Sequence, residues 1–156
     1  MNWEAIGAIG EIVGAAAVIV SLAYLGIQVR NQNIESRIAS VHDVLEGFRT
    51  EISAFRNSEL AELLGKGSVD YEALSDTEKI QFVAMIQGPL RFWEEAYHQY
   101  KAGRLSAQLW NGIHAQMRDF ISTDGLQKVW ELREHTYSQE FRDYVANIEL
   151  GTYRVN

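Results

Sequence analysis

The sequence predicts an all-α protein, on three observations: a long apolar run at the amino end, helical spacing of apolar residues through the rest, and no convincing run of period-two alternation. The helices are expected as one long element crossing a membrane and continuing into a bundle of four or five shorter ones. Residues 1–30 form the expected membrane helix and residues 31–156 a helical-bundle domain.

From Ala5 to Val29 the only ionisable acid or base is Glu11. At ~1.5 Å per residue this run reaches about 37 Å, enough for a hydrocarbon layer of about 30 Å. Met1, Asn2, Trp3 and Glu4 carry no basic side chain, which disfavours a secretory signal, whereas Arg30 and Arg37 follow the run. Basic residues favour the cytoplasmic side, so the amino terminus is expected outside and the carboxyl-terminal domain in the cytoplasm.

Gly7, Gly10, Gly14, Ala17 and Ser21 recur at steps of three and four, and Gly10 and Gly14 make a GxxxG pair. Small residues on one face let helix backbones approach closely in lipid, so self-association is expected there. Glu11 lies beside that face. In a ring of helices, Glu4 and Glu11 would stack as two acidic rings attractive to cations; near the outer interface, Glu11 would instead reach headgroups and water.

Beyond Arg30, Ile34, Ile38, Val41, Leu45, Phe48, Ile52 and Phe55 step 4-3-4-3-4-3. Neither a proline nor a turn cluster interrupts, so one helix is expected from about Trp3 to Arg56. Its stripe suits packing on the helices of the same chain, and also permits a coiled coil. Asn57-Ser58 then opens a short helix that Gly65-Lys66-Gly67 should end. Ser75-Asp76-Thr77-Glu78 has the form of a capping box for a helix to about Ala102, with a kink or break near Gln87 because Pro89 follows. Further helices are expected at 107–121 after Ser106, at 126–135 after Asp124-Gly125, and at 139–150 between Ser138 and Gly151.

Aromatic residues on these helices, among them Phe82, Phe92, Trp93, Tyr97, Tyr100, Trp110, Phe120, Trp130, Phe141 and Tyr144, read as a packed core. A pigment, haem or lipid pocket between helices is the alternative, without an axial-ligand motif to support it. Glu4, Glu11 and Arg30 are the only charged side chains in residues 1–30, so all but one unit of the net charge of −7 lies beyond them. An acidic domain disfavours nucleic acid as a partner. The lack of cysteine excludes disulfides and thiolate chemistry.

Glu95 and His98, at i and i+3, are weak metal candidates, because Glu-x-x-His supplies half of the ligands of di-iron carboxylate bundles and the other half is missing. Glu94 and His98 equally suit a surface pair. Gly65-Lys66-Gly67-Ser68 lacks the spacing of a phosphate loop, and no nucleophile elbow occurs. No catalytic residue and no cofactor is assigned.

The amino-terminal residues Trp3-Glu4, Ile6, Ile9-Gly10-Glu11-Ile12-Val13-Gly14, Val20-Ser21-Leu22, Tyr24-Leu25 and Gln28-Val29-Arg30, with the later Phe92-Trp93-Glu94, Tyr97, Tyr100, Gly103, Trp110, Phe120, Trp130 and Phe141, resemble a group of small, uncharacterised bacterial inner-membrane proteins with one amino-terminal membrane helix. The resemblance implies that location and no activity. The expected function is a membrane-anchored, oligomeric scaffold or accessory subunit whose partners are the bilayer and other membrane subunits or copies of itself. A homo-oligomeric cation channel is the alternative, and a helical-bundle metalloenzyme a third.

Overall fold

A computed structural model describes residues 2–54 and 56–153. Among them there are six α-helices and no strand: α1 (Trp3–Ala54), α2 (Ser58–Val69), α3 (Asp76–Lys101), α4 (Ala107–Ile121), α5 (Asp124–Arg133) and α6 (Gln139–Ala146), with a 3-10 turn at Glu134–Thr136 before α6. The chain divides into two compact units, Met1–Ala39 and Ser40–Asn156. The first unit is helical throughout its described length beyond Asn2.

In the second unit the helix starts are written in local chemistry. The Asn57 side chain accepts the Glu59 and Leu60 backbone N–H groups at 2.8 and 3.4 Å. Ser75 accepts the Glu78 N–H while the Glu78 carboxylate accepts the Ser75 N–H at 2.7 Å, the reciprocal pair of a capping box. Lys66 adds an ion pair at 2.9 Å; together with the Ser75 bonds it lowers the Glu78 pKa to about 2. Ser106 and Ser138 cap α4 and α6. Gly103, at φ 69°, turns the chain out of α3 in the left-handed region that glycine adopts without strain.

Three helix boundaries depart from expectation. α2 continues through Gly65 and Gly67 to Val69, because Gly67 is a point of contact and not a stop: a Cβ there would lie 2.4 Å from the Phe82 ring. Gly125 opens α5 for the same reason, since its Cβ would fall 1.9 Å from the Gly67 carbonyl oxygen. α2 and α5 thus meet backbone to backbone, with Phe82 beside both glycines. Of the kink or break expected near Gln87, α3 shows no break: Pro89 is buried within the helix, as are Ile86, Leu90, Phe92 and Trp93, and this packing offsets the hydrogen bond proline removes. α6 stops at Ala146, four residues short, and the following chain bonds the Gly151 N–H to the Arg118 carbonyl and sets Tyr153 edge-on to Phe120.

α3 runs through the centre of the bundle, with Phe82, Ile86, Leu90 and Ala96 wholly buried. Met117 from α4, Leu126 and Val129 from α5 and Phe141 from α6 close around it. The aromatic residues expected in the core are there, buried or half-buried, and Tyr97 touches Trp110, Phe141 and Tyr144. On the last turns of α1 the buried register is rotated from the expected stripe. Ser40 and Val44 are buried and Val41, Gly47 and Phe48 half-buried, whereas Ile34, Ile38, Leu45 and Ile52 are exposed. Gly47 lies against Phe92, whose ring would stand at an ordinary contact distance of 3.4 Å from an added Cβ, and Phe48 packs on the same ring at 5.9 Å. Phe55 lies outside the described residues.

Candidate functional site

The amino-terminal unit places the small residues on one side of α1. At about 100° per residue, Gly7, Gly10, Gly14, Ala17 and Ser21 fall within an arc of about 80°, and Glu11 sits about 40° beyond its edge. A Cβ added at Gly7, Gly10 or Gly14 would meet nothing within 4 Å. Ser21 donates its hydroxyl to the Ala17 carbonyl at 2.8 Å, which keeps its polar group satisfied within the helix. Around the rest of the circumference Ile9, Ile12, Val13, Ile19, Val20 and Leu22 are all exposed. The helix contains an 18-residue stretch of mean hydropathy 2.2, none of it buried, so it is long and apolar enough to cross a membrane. The side chain of Glu4 lies outside the described residues; Glu11 is exposed.

The Glu95 and His98 pair is not assembled into a ligand set. Glu95 is exposed, while His98 turns to α6, with Nε2 3.0 Å from Ser138 Oγ and Nδ1 4.0 Å from Glu140. Among the described residues no group of three or more metal-ligating side chains comes together. Glu94 does not pair with His98 either. Its carboxylate accepts the Ser138 N–H at 2.7 Å and an Arg91 N–H at 2.7 Å. Arg91 in turn donates to the Thr136 carbonyl at 3.0 Å and covers the Tyr137 ring at 4.2 Å. Burial pushes the Glu94 carboxyl up, but the Ser138 and Arg91 hydrogen bonds outweigh it and the net shift is downward. This clamp fixes the turn before α6.

Beside α6 lies a polar groove of about 620 Å³, lined by Tyr97, Lys101, His114, Arg118, Glu140, Asp143 and Tyr144 among others. His114 Nδ1 is hydrogen-bonded to the Tyr144 hydroxyl. Burial lowers the His114 pKa from its ordinary 6.5, helped by Arg118, and burial raises Tyr144 to about 12. At neutral pH the imidazole is neutral and the phenol keeps its proton, and the direction of their bond follows the imidazole tautomer. Lys101 pairs with Glu140 at 3.5 Å and Arg118 with Asp119 at 3.4 Å. The His114–Tyr144 and Lys101–Glu140 pairs hold protons and charges in place across helices, and Arg118–Asp119 within α4. Their partners stand 30 or more residues apart in sequence for both His114–Tyr144 and Lys101–Glu140, so no local motif marks them.

The fold and its two units define an all-α protein that joins a helical bundle to a helix apolar enough for a membrane. Comparison with known proteins gives no match: no family model fits the chain, and no curated protein and no solved structure matches it.

Proposed function

We propose that the chain is a single-pass membrane protein whose amino-terminal helix joins copies of itself, or neighbouring subunits, into a membrane assembly for which the bundle serves as scaffold or accessory part. One observation carries the reading: the apolar side chains of 7–29 are exposed on every side, and the glycines among them face nothing in this chain. In water such a surface far exceeds what a monomer ordinarily exposes. In a bilayer the same surface is solvated by lipid, and the small-residue arc is where a second helix approaches. Arg30 and Arg37 after the span support a cytoplasmic bundle, and the resemblance of the sequence to bacterial inner-membrane proteins supports that membrane.

Alkaline carbonate extraction of cells expressing the full chain tests the anchor: the protein stays with the membrane pellet, and its release would refute the span. Cysteine-free crosslinking in native membranes tests the assembly. An oligomer or a complex with other chains is expected, weakened by Gly10→Ile combined with Gly14→Ile; a wild-type monomer, or an adduct pattern unchanged by both substitutions, would reject it. A cation conductance in planar bilayers that Glu11→Gln abolishes would replace the scaffold reading with transport.

A further inference from the structure

We propose that a second copy of this chain pairs with the first along α1 as a parallel coiled coil, in which Asn31 sets the register and Arg30 of one copy faces Glu35 of the other. The inference rests on the single-pass reading above and deepens it, by naming the partner as the same chain. Val20, Tyr24, Ile27, Asn31, Ile34 and Ile38 step 4-3-4-3-4, the heptad spacing of positions d and a, and all six are exposed. They lie within the Met1–Ala39 unit. Followed back toward the amino end, position a falls on Ala17 and Gly10 of the small-residue arc, so one seam serves both the apolar and the polar part of this unit.

The polar part selects the partner. In the apolar run nearly every position is hydrophobic and a heptad carries no information, but beyond it the pattern is discriminating. Residues 30–38 read Arg-Asn-Gln-Asn-Ile-Glu-Ser-Arg-Ile, and the two apolar side chains among them, Ile34 and Ile38, stand at d and a. Ile38 lies eight residues, about 12 Å, beyond Arg30 along the helix, outside a hydrocarbon layer that ends at the arginine. Asparagine at a single a position costs stability and fixes register, because its amide is satisfied opposite another polar group; in parallel copies Asn31 meets Asn31. The charges agree with that register. Arg30 occupies g and Glu35 the following e, and in a parallel pair each g faces the e five residues on in the partner, so the Arg30–Glu35 contact forms twice about the two-fold axis. A separation of five serves no pairing within one helix, where facing side chains stand three or four apart. Among the described residues neither Arg30 nor Glu35 enters an ion pair in this chain, unlike Arg49 and Glu46, which pair at i and i+3. Copies inserted through one membrane in the same sense point the same way, which makes the pair parallel.

The chain has no cysteine, so single cysteines introduced into the full-length protein report contacts between copies directly. On mild oxidation in native membranes, Ile27→Cys, Ile34→Cys and Ile38→Cys should each give a disulfide-linked adduct of twice the 17.7 kDa chain mass, and the off-seam Val29→Cys, Asn33→Cys and Ser36→Cys should give little. In the Ile34→Cys chain, Arg30→Glu or Glu35→Arg should lower the adduct roughly tenfold, as two attractive contacts become repulsive. Combining the two swaps should restore it, and chains carrying one swap each, expressed together, should link to one another. Glu35→Arg adds to the basic residues that set orientation, so its effect is not a change of topology. Equal yields on and off the seam, or a charge-swap loss that the double swap does not rescue, overturn the proposal. Adducts at Gly10→Cys and Gly14→Cys with none at 27–38 overturn it too, while leaving the membrane assembly in place. No adduct at any position removes both this pairing and self-assembly. Release by carbonate with the seam pattern intact refutes the span and supports the coiled coil.

Discussion

Two glycines of the bundle and three of the amino-terminal unit behave in opposite ways. In the bundle, Gly67 and Gly125 are small because Phe82 and a backbone carbonyl occupy the space a side chain would need. In the amino-terminal unit, Gly7, Gly10 and Gly14 are surrounded by nothing within 4 Å, although their spacing is that of a contact face. For the first two the chain itself supplies the group that requires glycine, and for the other three no such group lies within 4 Å. Under the proposed function, the face of the second group is where another membrane helix would approach.

The largest effect that bears on the comparison is expected from Phe82→Ala. It removes a wholly buried ring against both bundle glycines and should lower stability by about 3–5 kcal/mol in chemical denaturation. Gly125→Ala should follow, at about 3 kcal/mol or somewhat above the usual overpacking range, because a backbone atom and not a flexible side chain blocks the new methyl. A melting temperature equal to wild type for that variant would mean that α2 and α5 do not approach as described. Gly67→Ala should cost less in the Phe82→Ala background than alone, since the ring it strikes is gone; strict additivity would break the argument.

Glu94→Gln should come next, at about 1.5–3 kcal/mol, with α6 loosened. The Glu94 carboxyl titrates below its ordinary 4.5 in the folded chain, so the unfolded state binds the proton first as acid is added. Its contribution is present above pH 4.5 and fades as pH falls through the folded value, and the gap between wild type and Glu94→Gln should close over that range. The smallest effect is expected at the other pole: Gly10→Ala should leave the unfolding of the bundle unchanged to within about 0.5 kcal/mol. A large loss there would show that the glycine is explained within the chain after all.

Much of this was legible in sequence wherever the signal is local. Ser106 with the apolar spacing after it marks α4 at Ala107–Ile121, and Ser75 with Glu78 marks the start of α3. Where tertiary contact decides, local signals mislead. Gly65-Lys66-Gly67 reads as a stop, yet Phe82 of α3 requires glycine inside α2; Pro89 reads as a kink or a break, and the helix continues through it without a break. The 4-3 stripe of α1 marks a helix correctly but not its buried face, because that side carries Ser40 and Gly47, which do not register in an apolar pattern. The small-residue arc and Glu11 are legible as a pattern, and the proposal for them rests on that pattern together with their exposure. The polar groove is the opposite case, assembled from α3, α4 and α6 at separations no motif spans.

The clamp on the turn before α6 has a consequence in exchange kinetics. A helix of eight residues is too short to persist alone in water, so α6 is helical only while docked. Its amide hydrogens should therefore trade with solvent together, as one cooperative opening, well before those of α3 around Ile86 and Leu90. Loosening Arg91 or Glu94 should speed that opening selectively, leaving the slow amides of α3 at their original rate.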